Sequence, residues 1–164
     1  KKKTLGHITT TTDFSAFADC DLVIEAIVEN LDAKIQLFET IDRICKPTTI
    51  FASNTSSLSI TDMAVVTKRR SQFVGLHFFN PVHRMELVEV IVGERADPDS
   101  VLKAVRFVQQ IGKLPVLARD RPGFIVNRIL MPYLVEAGIL FQEGAEAKDI
   151  DDVMLAAKAG RTAQ

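Results

Sequence analysis

Three histidines stand in the chain, at positions 7, 77 and 83. His77 comes late in the apolar run Phe73-Val-Gly-Leu-His-Phe-Phe79 and is followed by Asn80-Pro81, so it sits where a strand ends. Open α/β sheets receive ligands at the carboxyl ends of their strands, and an imidazole there is a candidate general base or acid. A satisfied core histidine is the competing account. His7, in a polar context near the terminus, reads as a solvated surface residue, and His83, in a loop, as a surface or structural one.

Glu89 shifts the balance toward chemistry. In Glu86-Leu-Val-Glu-Val-Ile-Val92, alternation puts Glu89 on the face of Leu87 and Ile91, opposite Val88, Val90 and Val92. A carboxylate inside such a strand is costly unless it is paired or hydrogen-bonded. The short Asn80–Arg84 connection makes the two strands neighbours, so Glu89 can bond one imidazole nitrogen of His77 and leave the other to take a proton. A purely structural ion pair with Arg84, Lys103 or His77 is the alternative. Two further polar sets remain open. Asn127 shares a helical stripe with Phe124, Leu130, Met131 and Leu134, and either bonds a neighbouring backbone group or faces a cleft. Ser53-Asn-Thr-Ser-Ser57 follows a strand as His77 ends one, and can bond a polar ligand or serve as turn and cap residues.

The elements that must position these residues alternate. Strands are expected at Asp21–Ile27, Thr49–Ala52, Phe73–Phe79, Glu86–Val92 and Leu114–Ala118. Leu31, Ile35, Phe38, Ile41 and Ile44 mark one helical face, with Asn30 as N-cap and Pro47 beyond its end. A short helix follows Ser59, with Ser59 and Asp62 at capping-box spacing. Asp97-Pro98 opens another helix that Gly112 ends. Strands separated by helices imply a parallel sheet covered on both faces, except that the short link before Glu86 suits an antiparallel fourth strand. Pro115 points to an edge position. From Pro122 the pattern is helical to about Glu143, then from Lys148 to Lys158, with a frayed tail. The expected division is an α/β part over residues 1–120 and the beginning of an all-helical part over residues 121–164.

The 164 residues are 47% hydrophobic and 25% charged, with 20 basic and 21 acidic side chains. That composition argues against disorder, and the near-zero net charge offers no attraction to nucleic acid or an anionic membrane. No apolar stretch reaches the ~20 residues of a membrane span. Lys1-Lys2-Lys3 is followed by no apolar run, so a secretory leader is not expected. Cys20 and Cys45 have no partners at metal-ligand spacing and suit a reducing compartment. The eight glycines are scattered singly and no G-x-G-x-x-G occurs. Either the α/β part binds no nucleotide, or the chain begins after that loop.

Phe51-Ala-Ser-Asn-Thr-Ser-Ser-Leu58, Gly75-Leu-His-Phe-Phe-Asn-Pro-Val82, Glu86-Leu-Val-Glu-Val90 and Pro122-Gly-Phe-Ile-Val-Asn-Arg128, in this order and spacing, resemble the L-3-hydroxyacyl-CoA dehydrogenase family of fatty acid β-oxidation. Val23-Ile-Glu-Ala-Ile-Val-Glu-Asn30 is similar to that family's segment beside the cofactor. The resemblance implies an α/β chain carrying the C-terminal half of a Rossmann-like doubly wound sheet, followed by the start of an all-α domain. It implies NAD as cofactor, an acyl-CoA as substrate and no metal. His77 would take the 3-hydroxyl proton as hydride leaves C3, and Glu89 would be its carboxylate partner. Ser56 and Asn127 would hold the reacting oxygen and orient the substrate. Glu29, Lys34, Asn54, Ser56 and Asn80 would lie on the cofactor side, with Asn80 also near the acyl group.

His83-Arg84-Met85 is similar to the dehydrogenase part of multifunctional hydratase–dehydrogenase fusions, so a homodimer or a fusion complex is the expected setting. The expected compartment is the bacterial cytoplasm, with the mitochondrial matrix as the alternative. The family's glycine-rich loop has no counterpart here, and Met154-Leu-Ala-Ala-Lys-Ala-Gly160 departs from its continuation, so a fragment with an exposed sheet edge is expected. Two other accounts compete: a non-catalytic assembly or interaction module, and a dehydrogenase of free 3-hydroxyacids that relies on a lysine base.

Overall fold

Local hydrogen bonds start three helices where the capping residues stand. Asn30 accepts the Ala33 N–H at 2.9 Å and opens α1, Leu31–Asp42. Ser59 accepts the Asp62 N–H at 3.1 Å and opens α2, Ile60–Val65. Asp97 accepts the Ser100 N–H at 2.7 Å and opens α3, Pro98–Gln110, with Pro98 in its first turn. Each cap satisfies an N–H that the helix itself leaves without a partner. Gly112, at φ 75°, turns the chain after α3 in the left-handed conformation that glycine adopts without strain.

A computed structural model of the protein describes residues 6–161. Lys1–Lys3, and the last three residues of the expected frayed tail, lie outside that range. Strands β1 (Leu22–Glu25), β2 (Ile50–Ser53), β3 (Phe73–Phe78), β4 (Leu87–Val92) and β5 (Leu114–Arg119) form one sheet in the order β1-β2-β3-β4-β5. β1, β2 and β3 run parallel, β4 is antiparallel to β3, and β5 is parallel to β4. The antiparallel turn and the edge position of the Pro115 strand agree with the expectations. The link from β3 to β4 has no room for a helical crossover, so the direction reverses there.

Period-two alternation sorts the side chains between two cores. Ile50, Ala52, Val74, Leu76, Val88 and Val90 pack against Ala104 and Val108 of α3 on one face. On the other, Phe38 of α1 meets Phe51 and Phe73 with ring centroids 5.5 and 4.6 Å apart. Ile60 of α2 reaches the sheet on that face over Gly75. A Cβ on Gly75 would lie 2.7 Å from Ile91 Cβ and 2.8 Å from Ile60 Cδ1. Ile91 Cβ cannot move without its strand, so Gly75→Ala is expected to destabilise by about 1–3 kcal/mol. A lowered urea midpoint checks this, and an unchanged one would show that α2 lifts off without cost.

The chain divides into two compact units, Lys1–Phe124 and Ile125–Gln164. The second holds α4, Val126–Gln142, and α5, Ala147–Arg161. Two expectations need correction here. The long helix begins at Val126 rather than Pro122, because residues 122–125 form a turn in which Phe124 takes φ 46°. α5 continues past Lys158 through Arg161. The apolar stripe on α4 is not buried: Leu130, Met131 and Leu134 are exposed, and Phe124 belongs to the first unit, where it is buried. A pair of helices can cover only one side of each other. No helix among the described residues is long and apolar enough to cross a membrane.

Candidate active site

The antiparallel register between β3 and β4 sets His77 directly opposite Glu89. Cross-strand partners share a face, so the two side chains meet on the face of α1 and α2. His77 Nδ1 lies 2.6 Å from Glu89 Oε2, with His77 5% and Glu89 0% exposed. One hydrogen must stand between that nitrogen and the carboxylate oxygen. With Glu89 ionised it belongs to Nδ1, which donates. Nε2 then carries a lone pair, and Ser56 Oγ stands 3.2 Å from it. Ser56 is exposed whereas His77 is buried, so the Nε2 contact joins the buried imidazole to an exposed residue. The rings of Phe79 and Phe124 flank the imidazole, with centroids 4.4 and 5.9 Å away.

A second polar cluster lies at the carboxyl ends of β1 and β2. Glu25, the last residue of β1, is buried, and Lys34 of α1 is fully buried. Lys34 Nζ donates to Glu25 Oε1 at 2.7 Å, to Oε2 at 2.9 Å and to the Asn54 carbonyl at 3.2 Å. Glu25 also accepts the Ile27 N–H and the Ser53 hydroxyl, both at 2.6 Å. This satisfies a carboxylate and an ammonium that would be costly if either were alone. Glu29, more exposed, lies 3.5 Å from Lys34 Nζ, accepts the Ser56 N–H at 3.0 Å and takes the Thr55 hydroxyl. Partial burial pushes the Glu29 carboxyl up. The Thr55 hydroxyl, the Ser56 N–H and Lys34 together outweigh it, and the pKa lies below the ordinary glutamate value.

Asn54, between the two clusters, accepts the Phe78 N–H on its side-chain oxygen at 3.1 Å and ties the end of β2 to the end of β3. Of the residues singled out from the sequence, His77, Glu89, Ser56, Asn54, Glu29 and Lys34 are thus joined by hydrogen bonds and one ion pair. Asn80 lies exposed just beyond β3. Asn127 is part-buried in the first turn of α4, in the second unit. His7 and His83 are exposed, as expected. Glu25 and the flanking rings of Phe79 and Phe124 were not anticipated. Glu25 had a legible signal, since like Glu89 it is a carboxylate in an apolar strand, costly unless it is paired. Among the described residues no group of acidic, histidine and cysteine side chains is arranged to hold a metal ion.

A buried imidazole–carboxylate pair with a serine beside it is suited to acid–base chemistry. The chain as a whole is similar to known proteins in sequence and in fold. The family model for the NAD-binding domain of 3-hydroxyacyl-CoA dehydrogenase matches residues 1–121, and that for its C-terminal domain matches residues 123–161. The mitochondrial hydroxyacyl-coenzyme A dehydrogenase of Sus scrofa is 50% identical over 155 residues, covering 93% of this chain and 49% of that protein. A fatty acid oxidation complex subunit alpha from a Psychrobacter strain is 45% identical over 152 residues, which is 93% of this chain and 21% of that one. The crystal structure of (S)-3-hydroxybutyryl-CoA dehydrogenase from Ralstonia eutropha matches with a TM-score of 0.88 at 41% identity, over 90% of this chain and 53% of that one. The chain therefore spans about half the length, or less, of these relatives. With both domain models matching in tandem, the chain belongs to the 3-hydroxyacyl-CoA dehydrogenase family.

Proposed function

We propose that this chain carries the proton-transfer machinery of an NAD-dependent 3-hydroxyacyl-CoA dehydrogenase, which oxidises the 3-hydroxyl of an acyl-CoA to the ketone. The observation that carries it is the run Ser56–His77–Glu89, with contacts of 3.2 and 2.6 Å. When bound, the nicotinamide supplies the hydride acceptor. His77 Nε2 accepts the proton of the 3-hydroxyl, and Glu89 holds the ring in the right tautomer and stabilises the imidazolium. Ser56 orients the substrate oxygen from the outer side, and Asn127 is proposed as a second contact to it. The phenylalanine rings beside His77 limit water around the imidazole.

The residues present suit the ribose and nicotinamide end of the cofactor. Glu29, Asn54, Ser56 and Asn80 offer carboxylate, amide and hydroxyl groups at the carboxyl ends of β1, β2 and β3, where doubly wound sheets bind dinucleotides. Lys34 serves that group from beneath, since its ammonium already meets Glu25, Asn54 and Glu29. A pyrophosphate needs glycine-bounded backbone N–H groups at a helix start, and G-x-G-x-x-G is not in this sequence. The residues present account for one end of the dinucleotide. We extend the proposal to a bacterial cytoplasmic setting, as a homodimer or within a fusion complex.

Serine, histidine and glutamate in this hydrogen-bonded order also make the nucleophilic unit of hydrolases. Such a unit needs backbone N–H groups aimed at a developing oxyanion. Here the Ser56 N–H donates to Glu29, and those of Ser57 and Leu58 donate to Thr55 Oγ1. The loop spends its amides on itself, which favours a proton relay over an acyl-enzyme. The test is a chimera in which this chain replaces the matching segment of the Sus scrofa relative. NADH formation from an L-3-hydroxyacyl-CoA is expected; a folded, NAD-binding chimera that forms none would overturn the proposal.

A further inference from the structure

Beneath the serine loop, two carboxylates share one buried ammonium, and they share it unequally. Glu25 holds Lys34 through both oxygens at 2.7 and 2.9 Å, whereas Glu29 stands 3.5 Å away on the exposed side. Glu25 is itself held by the Ile27 N–H and the Ser53 hydroxyl, so it has little freedom to follow the lysine. On its outer side Glu29 takes the Ser56 N–H and the Thr55 hydroxyl through Oε1. Ser56 Oγ in turn stands 3.2 Å from His77 Nε2. A continuous line of contacts therefore runs from the end of β1 through Lys34, Glu29 and Ser56 to the imidazole.

We infer that Glu25 is a positioning residue: by holding Lys34 back, it leaves Glu29 free to fix the Ser56 backbone and so sets the serine hydroxyl against His77. Attraction between a buried ammonium and a carboxylate is strong at these separations. With Glu25 neutral, Lys34 is drawn onto Glu29, the nearest remaining carboxylate. Closing the 3.5 Å gap between Nζ and Oε2 draws the Glu29 carboxylate inward, which takes Oε1 away from the Ser56 N–H. The serine then loses the bond that orients it, although neither Glu25 nor Lys34 touches His77. The inference depends on the proposed dehydrogenase reading only for the importance of the Ser56–His77 pair, and its test needs neither cofactor nor substrate.

Glu25→Gln is to be made in the chain as it stands, with 15N labelling, and read by amide hydrogen exchange and by the side-chain 15N resonances of His77. Exchange at Ser56 is expected to accelerate at least roughly tenfold, since a charge-assisted hydrogen bond is lost. The His77 Nε2 resonance is expected to move, while Leu76 and Val90 in the sheet stay within about twofold. Glu29→Gln, which removes the acceptor charge directly, sets the scale for Ser56. Unchanged Ser56 exchange and His77 resonances in folded protein overturn the inference. So does acceleration at Leu76 and Val90 in step with Ser56, the mark of a carboxylate that only stabilises the fold. Should Glu25→Gln not fold, Ser53→Ala removes one of its donors; a threefold or so acceleration at Ser56 alone is expected, and none refutes the inference.

Discussion

His77→Gln, in the chimera that carries this chain, is expected to lower kcat by about 10²–10⁴-fold while KM changes little. Glutamine is the informative substitution. Its amide can still donate to Glu89, so the buried carboxylate, 2.6 Å from the imidazole in the native chain, keeps a partner and the fold survives. What it lacks is a nitrogen that can take a proton and hold it as a cation beside Glu89. A loss confined to kcat identifies a group that acts on the transition state, because uniform binding would move KM instead. Steady-state rates of NADH formation measure both constants. A kcat within about threefold of the parent would mean that the proton leaves by another route, and the proposed chemistry would fall with it.

The largest effect on stability is expected away from the site. Arg69 is buried after α2, donates from Nε to Asp42 at 2.6 Å, and reaches the carbonyls of Asp42, Cys45 and Lys46 at the end of α1. Its guanidinium also lies 4.6 Å from the Phe51 ring centroid. The end of a helix leaves carbonyls without partners, and here one side chain answers three of them and a buried carboxylate together. Arg69→Ala removes that and strands the Asp42 charge, only 6% exposed. Breaking one side of a buried pair costs about 3–5 kcal/mol, which for a chain of this size lowers the melting temperature by roughly 6–20 °C. Thermal unfolding followed by circular dichroism reads the shift. Less than about 1 kcal/mol would mean that water takes over the guanidinium's contacts.

The His77–Glu89 pair and the Arg69 lock differ in how they could be foreseen. His77 and Glu89 are 12 residues apart on strands joined by a connection too short for anything but an antiparallel turn. Alternation then decides the face, and two polar residues on one apolar face have little choice but to meet. Arg69 and Asp42 are 27 apart, on segments joined through a strand and a helix, and nothing local in either announces the other. Glu25 and Lys34, only nine apart, lie between these cases. The carboxylate at the end of β1 is visible as an anomaly, but its partner is known only once α1 is laid on the sheet. Asn30, Ser59 and Asp97 were legible outright, because a cap bonds within three residues of itself.

The start of α4 was misplaced for the opposite reason. Pro122 suits a first helical turn, but Phe124 is buried beside His77 in the first unit, and the chain takes φ 46° there to place its ring. Tertiary packing overrode a local preference. The amino-acid order alone was enough for the family motifs, the caps, the five strands and the meeting of His77 with Glu89, since each depends on neighbours or on a short connection. Strand order and helix docking decided the rest: Lys34 buried between Glu25 and Glu29, Ser56 aimed at the imidazole, Arg69 under α1 and Phe124 in the wall. Those contacts join segments whose separation along the chain says nothing of their distance in space, and only the folded sheet brings them within hydrogen-bond reach.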